Sequence, residues 1–310
     1  MLKRDLMPVP IHNAFYIKLG ERGRWEADCI SNARIRVDYP QQDVADINRR
    51  NWTRIKEQLD ASETNQSVAT SDLNRLQDLT ASGPGDVWTA FHQGRLWWTR
   101  IRPGPFLQDE HSKYRRTEAW CDKAENNKLL VASSLPGKIA SLQAFRGTIC
   151  RVREKALLQR VLEGRPGELA VRIGQQRSGL EAAVLAGIRE LHPKDFETLV
   201  DLVFRHAGWA RTSILGQQVK SFDLELTEPL TGDRYVVQVK SAAGRPELDE
   251  TLRQFPQQLY RRVFFVVHSP TPELAAATDL PAFVQVVDPA VLARMAVSAG
   301  LSSWIEEKVI

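Results

Sequence analysis

Three side chains in the last third of the chain have the types and spacing needed to hold a metal ion beside a phosphate. Asp223 lies in one predicted strand, and Gln238 and Lys240 lie in the next. Because side chains alternate between the two faces of a strand, Gln238 and Lys240 face the same side. Carboxylate and amide oxygens are ligands for a hard divalent cation, and a nearby lysine can act on an attacking water. This pattern is typical of phosphodiester hydrolysis.

The segments around these residues alternate between helix and strand from residue 193 onward. Apolar residues recur at helical spacing over 193–209, with Gly208 as the expected stop. Two strand patterns follow, SFDLEL and RYVVQVK, joined by the turn-rich segment 229–233. A helix with a proline break, PELDETLRQFPQQL, then precedes the apolar strands RVFFVVHS and AFVQVVD. This order predicts a compact mixed α/β fold.

In this order and spacing, the FETLVDLVFRHAGW helix, the Asp223 strand and the YVVQVKS strand resemble the Mrr-like branch of the PD-(D/E)XK restriction endonuclease superfamily. Gln in place of the usual Asp or Glu of the second motif is a known form in that branch. The resemblance covers residues 191–290. It implies a restriction-endonuclease-like αβββαβ core that cuts DNA with Mg²⁺, for which Mn²⁺ can substitute.

The resemblance also implies a role for each residue of the site. Asp223 is expected to be the principal Mg²⁺ ligand, with Gln238 and the Val239 carbonyl as further oxygen ligands. Lys240 is expected to orient or deprotonate the attacking water, or to stabilise the pentacovalent transition state. Glu197, on the preceding helix, is expected to complete the site.

Other polar residues near the motif have weaker claims to a role. Glu225 shares the strand parity of Asp223 and is the best spare carboxylate, whereas the turn position of Asp233 favours a bystander role. Gln254, on the following helix, could also face the site. Gln238 carries no negative charge, which should weaken metal affinity. The six histidines show no zinc-ligand spacing.

Residues 1–150 are expected to form a mainly β domain, and residues 151–190 a helical connector to a nuclease domain over 191–310. The strand patterns are AFYIKL, ARIRVDY, RGTICRV and a hairpin with Gly94 at a positive φ. Helical patterns, NRRNWTRIKEQLD and ATSDLNRLQDL, lie between them. The fold class is therefore α/β, with a β-rich N-terminal domain.

Six of the eight tryptophans lie in residues 1–120, with basic residues between them. Aromatic faces stack on bases and basic side chains neutralise phosphates, although a core position is an equally good interpretation of any single tryptophan. The neighbours Trp97 and Trp98 must point to opposite faces, so at least one should lie in a core. The candidate nucleic-acid contacts are Trp88, Trp97, Trp98, Arg95, Arg100 and Arg102.

The segment GDVWTAFHQGRLWWTRI, followed later by LPGKIASLQAFRGTICRV, is similar to N-terminal domains fused to Mrr-like nucleases. It is also loosely similar to PUA/EVE-type barrels, which bind modified bases. These resemblances imply that the N-terminal domain reads double-stranded DNA that carries modified bases. Reading a modified base usually requires flipping it into an aromatic-walled pocket.

Charge is unevenly distributed along the chain, whose formal net charge is +4. Residues 1–180 carry a net charge of +8 and residues 181–310 a net charge of −4. This suits an N-terminal region that meets a polyanion, although basic residues also serve simply to solvate a surface. There is no secretory signal pattern, no apolar run of about 18 residues and no cysteine framework, so a cytoplasmic protein without a membrane span is expected.

Together, these features predict an Mg²⁺-dependent DNA endonuclease of restriction or antiphage defence, dependent on base modification. One site cuts one strand, so a homodimer is expected for a double-strand break. Two alternatives stay open. One is a non-catalytic DNA-binding or sensor protein on a decayed nuclease core; the other is a structure-specific repair nuclease or an RNase.

Overall fold

The computed structural model describes residues 10–62, 65–211, 222–255 and 257–309. Backbone contacts divide the chain into two compact units, the N-terminal unit Met1–Gly167 and the C-terminal unit Glu168–Ile310. The division lies inside the predicted connector 151–190. Helices and strands are mixed in both units, which confirms the α/β class. None of the helices in the described ranges is both long and apolar enough to cross a membrane.

The N-terminal unit combines short strands with helices. The strands are β1 (Ala14–Ile17), β2 (Arg34–Val37), β3 (Val87–His92), β4 (Arg95–Arg100), β5 (Leu107–Gln108), β6 (Lys113–Arg116) and β7 (Ile149–Arg151). The helices are α1 (Glu26–Ser31), α2 (Val44–Asn48), α3 (Trp52–Ser62), α4 (Gln66–Ala81), α5 (Gly137–Ala140) and α6 (Lys155–Glu163). The two predicted helices before the hairpin correspond to α3 and α4.

The strands of the N-terminal unit form a four-stranded sheet in the order β4-β3-β1-β7 and a three-stranded sheet in the order β2-β6-β5. β3 and β4 pair as the predicted hairpin. Its two-residue turn places Gln93 and Gly94 at φ 48° and 72°, left-handed conformations that such a turn requires and that glycine adopts without strain. The prediction for Gly94 is confirmed.

Both faces of the four-stranded sheet are covered by apolar clusters. Phe15 and Trp88 belong to one cluster, and Tyr16 and Leu96 belong to the cluster on the other face. Helices α3 and α4 contribute to the first cluster and helix α6 to the second. A strand with two buried faces exposes few of its side chains, so few side chains of β3 are accessible to a nucleic acid.

A buried ion-pair network connects the second sheet to helix α1. Arg36 is 1% exposed and makes two hydrogen bonds to Asp109, at 2.8 and 2.6 Å, and one to Asp28 at 2.6 Å. The Arg36 guanidinium holds the pKa of Asp109 well below its usual range. Burial would raise the pKa of Asp28, but hydrogen bonds from Arg34 and Arg36 outweigh it and lower that pKa to about 2.

We expect this network to stabilise the N-terminal unit above about pH 4, near the pKa of an aspartate in the unfolded chain, and to lose that effect as the pH falls toward 2. Stability falls with falling pH because the pKa values of Asp28 and Asp109 are lower in the folded protein than in the unfolded chain.

Asp109→Asn should lower the free energy of unfolding by about 3 kcal/mol at pH 7, because a buried guanidinium loses one of its two carboxylates. Urea unfolding at pH 7 and pH 3 measures both effects. The neighbouring exposed variant Glu110→Gln is the control, and equal stability of the two variants at pH 7 would contradict the prediction.

The C-terminal unit is built around a single five-stranded sheet in its described residues. The strands are β8 (Ala210–Arg211), β9 (Leu224–Thr227), β10 (Arg234–Ala243), β11 (Arg262–Pro270) and β12 (Val284–Val287). The helices are α7 (Glu168–Glu190), α8 (Pro193–His206), α9 (Arg245–Arg253), α10 (Pro272–Ala275), α11 (Pro289–Ser298) and α12 (Ser302–Lys308). From α8 to β11 the order is the predicted αβββαβ. The predicted proline break, at Pro256, lies outside the described residues.

The sheet order is β12-β11-β10-β9-β8, with β9 and β10 antiparallel and β10 and β11 parallel. A parallel pair needs a crossover connection, and α9 lies within the one between β10 and β11. Helices α7, α8 and α11 pack with Val237 on one face of the sheet. Helix α9 packs with Val236 on the other face. Because side chains alternate, Gln238 and Lys240 lie on the α9 face with Val236.

Candidate active site

The predicted site residues meet where β10 continues past the start of β9. Pairing between these strands runs only from Arg234 to Val237 on β10, whereas β10 itself extends to Ala243. Asp223 lies immediately before β9, not within it as predicted, and its backbone N–H donates to the Val237 carbonyl at 3.2 Å. The next backbone groups on this edge of β10 therefore face the Asp223 side chain.

Hydrogen bonds converge on the Asp223 carboxylate. Its Oδ2 atom accepts from the Gln238 side-chain Nε2 at 2.5 Å and from the Val239 backbone N–H at 2.6 Å. In a strand, the N–H and C=O of one residue point to the same side, so the Val239 carbonyl is also directed toward Asp223. Gln238 is 8% exposed, while Asp223 is exposed. The three residues predicted to supply oxygen ligands are thus close together.

A cavity of about 640 Å³, the Asp223 cavity, opens on the α9 face of the sheet. Asp223, Gln238 and the half-buried Lys240 line one wall. The other lining residues are Phe222, just before Asp223, and residues of or beside α9: Pro246, Glu247, Glu250, Thr251, Arg253 and Gln254. Gln254 therefore faces the site, as the sequence allowed.

Two carboxylates on the α9 side of the cavity, Glu247 and Glu250, were not among the predicted residues. Glu247 accepts a hydrogen bond from the Gly244 backbone N–H at 2.8 Å, which caps α9. The pKa of Glu247 is lowered mainly by that hydrogen bond and, to a smaller extent, by the Lys240 ammonium. The sequence did contain a signal for Glu247 and Glu250: they lie three residues apart on the helix that follows the QVK strand, so they share one face of that helix.

Glu197 is not among the described residues that line the Asp223 cavity. Its side chain is exposed on α8, and α8 packs on the other face of the sheet. The Glu225 carboxylate accepts a hydrogen bond from the Tyr260 hydroxyl and forms an ion pair with Arg234 at 3.3 Å. Asp233 pairs with Arg261 at 2.8 Å, in agreement with a bystander role.

The donor set at Asp223 fits a hard cation. Among the described residues, no group of three or more His, Cys, Asp or Glu side chains could hold a metal ion. One carboxylate, one amide oxygen and one backbone carbonyl are nevertheless all oxygen donors. Mg²⁺ binds through few carboxylates and keeps several waters, and a cavity of about 640 Å³ has room for them.

The prediction that Trp88 contacts nucleic acid is wrong. Trp88 is 0% exposed; its ring stacks on Phe15 at 4.6 Å and its Nε1 donates to the Ser82 hydroxyl at 2.8 Å. No face is left for a base. Trp97 and Trp98 are half-buried against opposite apolar clusters, which confirms that they point to opposite faces.

The three predicted arginines have different surroundings. Arg95 is exposed and pairs with Asp122 at 2.6 Å. Arg100 donates to the Pro84 carbonyl at 2.6 Å, and burial lowers its pKa. Arg102 is exposed. Arg95 and Arg102 are therefore more accessible to a phosphate than Arg100.

The N-terminal unit contains a second cavity, the Trp25 cavity, of about 400 Å³. Aromatic, acidic and basic side chains all contribute to it: Trp25, Tyr39, Asp38, Asp72, Lys18, Arg22, Arg36 and Arg146, with Gly20, Glu21, Val37, Gly147 and Thr148 completing the lining. The Arg24 guanidinium lies 4.3 Å from the centre of the Trp25 ring. Trp25 was one of the six N-terminal tryptophans, but no local pattern distinguished it from the others.

Comparison with known proteins identifies the class of the C-terminal unit. Residues 188–295 match the Mrr catalytic family, described as a restriction endonuclease. This segment is therefore similar to a restriction endonuclease domain, and the resemblance found in the sequence is confirmed. No curated protein gives a significant match.

Two solved structures are similar to this chain at 12% sequence identity, and each match covers 90% of this chain. One is the DNA modification-dependent restriction endonuclease AspBHI, of which 80% is covered at a TM-score of 0.33. The other is the MspJI restriction endonuclease in complex with a 27-mer oligonucleotide, of which 74% is covered at a TM-score of 0.23.

Proposed function

We propose that this protein is a Mg²⁺-dependent DNA endonuclease whose catalytic centre is the Asp223 cavity. One observation carries the proposal: the Asp223 carboxylate meets the Gln238 amide and the Val239 backbone, and Lys240 lines the same cavity. This donor set lies within the part of the chain that matches a restriction endonuclease family.

In this mechanism Asp223, the Gln238 side-chain oxygen and the Val239 carbonyl would hold the cation. Gln238 must turn its amide, because its nitrogen now meets Asp223. When bound there, Mg²⁺ would supply positive charge beside the phosphate and would lower the pKa of a water. Lys240 orients the attacking water or donates to the charge that develops on the phosphate oxygens. Cleavage is expected to leave 5′-phosphate and 3′-hydroxyl ends, as the resemblance to the PD-(D/E)XK superfamily implies.

We further propose that cutting depends on a modified base, which the Trp25 cavity takes up. Its volume of about 400 Å³ lies in the range of pockets for small ligands. The half-buried ring of Trp25 provides a stacking surface once the exposed Arg24 side chain, which lies over that ring and pairs with Asp38, moves aside. The Asp38 carboxylate can then accept from an exocyclic amino group. Lys18 and Arg22 add the positive charge that a DNA backbone requires.

The wider role follows from these two sites. A nuclease that cuts modified double-stranded DNA suits restriction or antiphage defence in the cytoplasm. Because one site cuts one strand, a double-strand break calls for a homodimer.

One observation favours a second candidate function, a DNA sensor on a nuclease core that no longer cuts. The side chain at position 238 is a neutral glutamine, so Asp223 is the single carboxylate among the proposed metal ligands. A sensor would bind the same modified DNA but show no heat of Mg²⁺ or Mn²⁺ binding at Asp223.

Plasmid cleavage tests the proposed function. The protein should cut a plasmid that carries modified bases when Mg²⁺ or Mn²⁺ is present, and excess EDTA should abolish cutting. The matched plasmid without modification should stay intact. Failure to cut either plasmid with either metal would contradict the nuclease assignment, whereas equal cutting of both would contradict only the dependence on modification.

A further inference from the structure

The metal site of the proposed function is short of negative charge. Asp223 contributes the single carboxylate, and Gln238 and the Val239 carbonyl are neutral. A divalent cation near a phosphate is held better when a further anion offsets its charge. The wall opposite these ligands, helix α9, carries two candidates, Glu247 and Glu250.

The contacts of the two glutamates separate them. The Glu247 carboxylate caps the start of α9 through the Gly244 N–H, so moving it would cost a helix cap. Glu250 contacts Arg253, the last residue of α9, at 2.7 Å and Gln254, the residue after it, at 2.8 Å. Its side chain is 53% exposed, so these contacts constrain it weakly.

We propose that Glu250 supplies the second negative charge of the metal site, by accepting hydrogen bonds from water on the cation and not by direct ligation; this inference rests on the proposed function. We assign an indirect role because Asp223, Glu247 and Glu250 all line the cavity, yet among the described residues they do not form a group of three carboxylates that could hold a metal ion. The Asp223 cavity leaves room for that water between the strand wall and α9. Glu250 is thus a positioning residue that offsets the neutral side chain of Gln238.

Mn²⁺ binding to the full chain, followed by the electron paramagnetic resonance of free Mn²⁺, tests the proposal without relying on cleavage. Glu250→Gln should weaken Mn²⁺ binding about tenfold, as loss of an outer hydrogen-bonding partner does at other metal sites. Glu273→Gln, which changes an exposed carboxylate on α10 outside the cavity, is the control and should bind like the wild type.

A compensating variant makes the test specific. Gln238→Glu places the charge on the strand, so Gln238→Glu combined with Glu250→Gln should recover affinity lost in Glu250→Gln. Unchanged Mn²⁺ binding in Glu250→Gln, or no recovery in a double variant with a wild-type circular dichroism spectrum, would overturn the inference alone. Absence of Mn²⁺ binding by the wild-type protein would overturn the proposed function together with it.

Discussion

Replacing Lys240 by alanine should reduce Mg²⁺-dependent cutting by about a hundredfold to a thousandfold, the usual effect of removing one group that stabilises a transition state. Lys240 lines the same cavity as Asp223, and its half-buried side chain belongs to neither apolar cluster of the C-terminal unit. The substitution should therefore leave the fold intact. DNA binding should change little, because a single lysine contributes a small part of the total phosphate contact.

Asp223→Asn extends the same prediction to the metal ligand. The amide keeps the shape of the side chain but removes the charge that attracts the cation, so cutting should fall to background. Single-turnover nicking rates and duplex binding without Mg²⁺ measure the two functions separately. Lys194→Ala, at an exposed position on α8, serves as the control. Undiminished cutting by Lys240→Ala or Asp223→Asn would rule out the proposed centre.

Much of the C-terminal site could be predicted because it depends on short-range geometry. The common face of Gln238 and Lys240 follows from strand alternation alone. Asp223 lies near Gln238 because the strand register pairs Leu224 with Val237. The short connection between these antiparallel strands restricts the possible registers. Both are properties of neighbouring segments, so a single sequence can indicate them.

The acidic wall of the site could not be predicted in the same way. Which helix covers which face depends on the pairing of β10 with β11 and on the handedness of the crossover through α9. These are long-range features of the sheet. The resemblance implied Glu197 on α8, whereas Glu247 and Glu250 on α9 line the cavity.

The tryptophans of the N-terminal unit show a different limit. Alternation assigns Trp88 to one face of β3 but does not say whether that face meets solvent. Since apolar clusters cover both faces of the sheet, Trp88 is buried in one of them. Trp25 precedes a short helix and has no periodic pattern around it, so its place in a cavity depends on tertiary packing.

Trp25→Ala should remove most of the discrimination between modified and plain duplexes. Stacking of a base on an aromatic ring contributes about 1–3 kcal/mol, so affinity for the modified duplex should fall about 5-fold to 150-fold. Affinity for the plain duplex should change little, since its bases stay stacked in the helix. Fluorescence anisotropy at one fixed salt concentration, without Mg²⁺, measures the ratio of the two affinities.

Three further variants separate recognition in the Trp25 cavity from damage to the unit and from general electrostatics. Trp25 also packs against the neighbouring apolar cluster, so Trp25→Phe should keep the fold and part of the discrimination. Asp38→Asn changes an exposed carboxylate of the cavity and should lower the affinity ratio without unfolding the unit. Arg102→Ala should weaken binding to both duplexes equally, because phosphate contacts carry no information about the base. An affinity ratio that stays at the wild-type value in both Trp25→Ala and Asp38→Asn would mean that the modified base is read elsewhere.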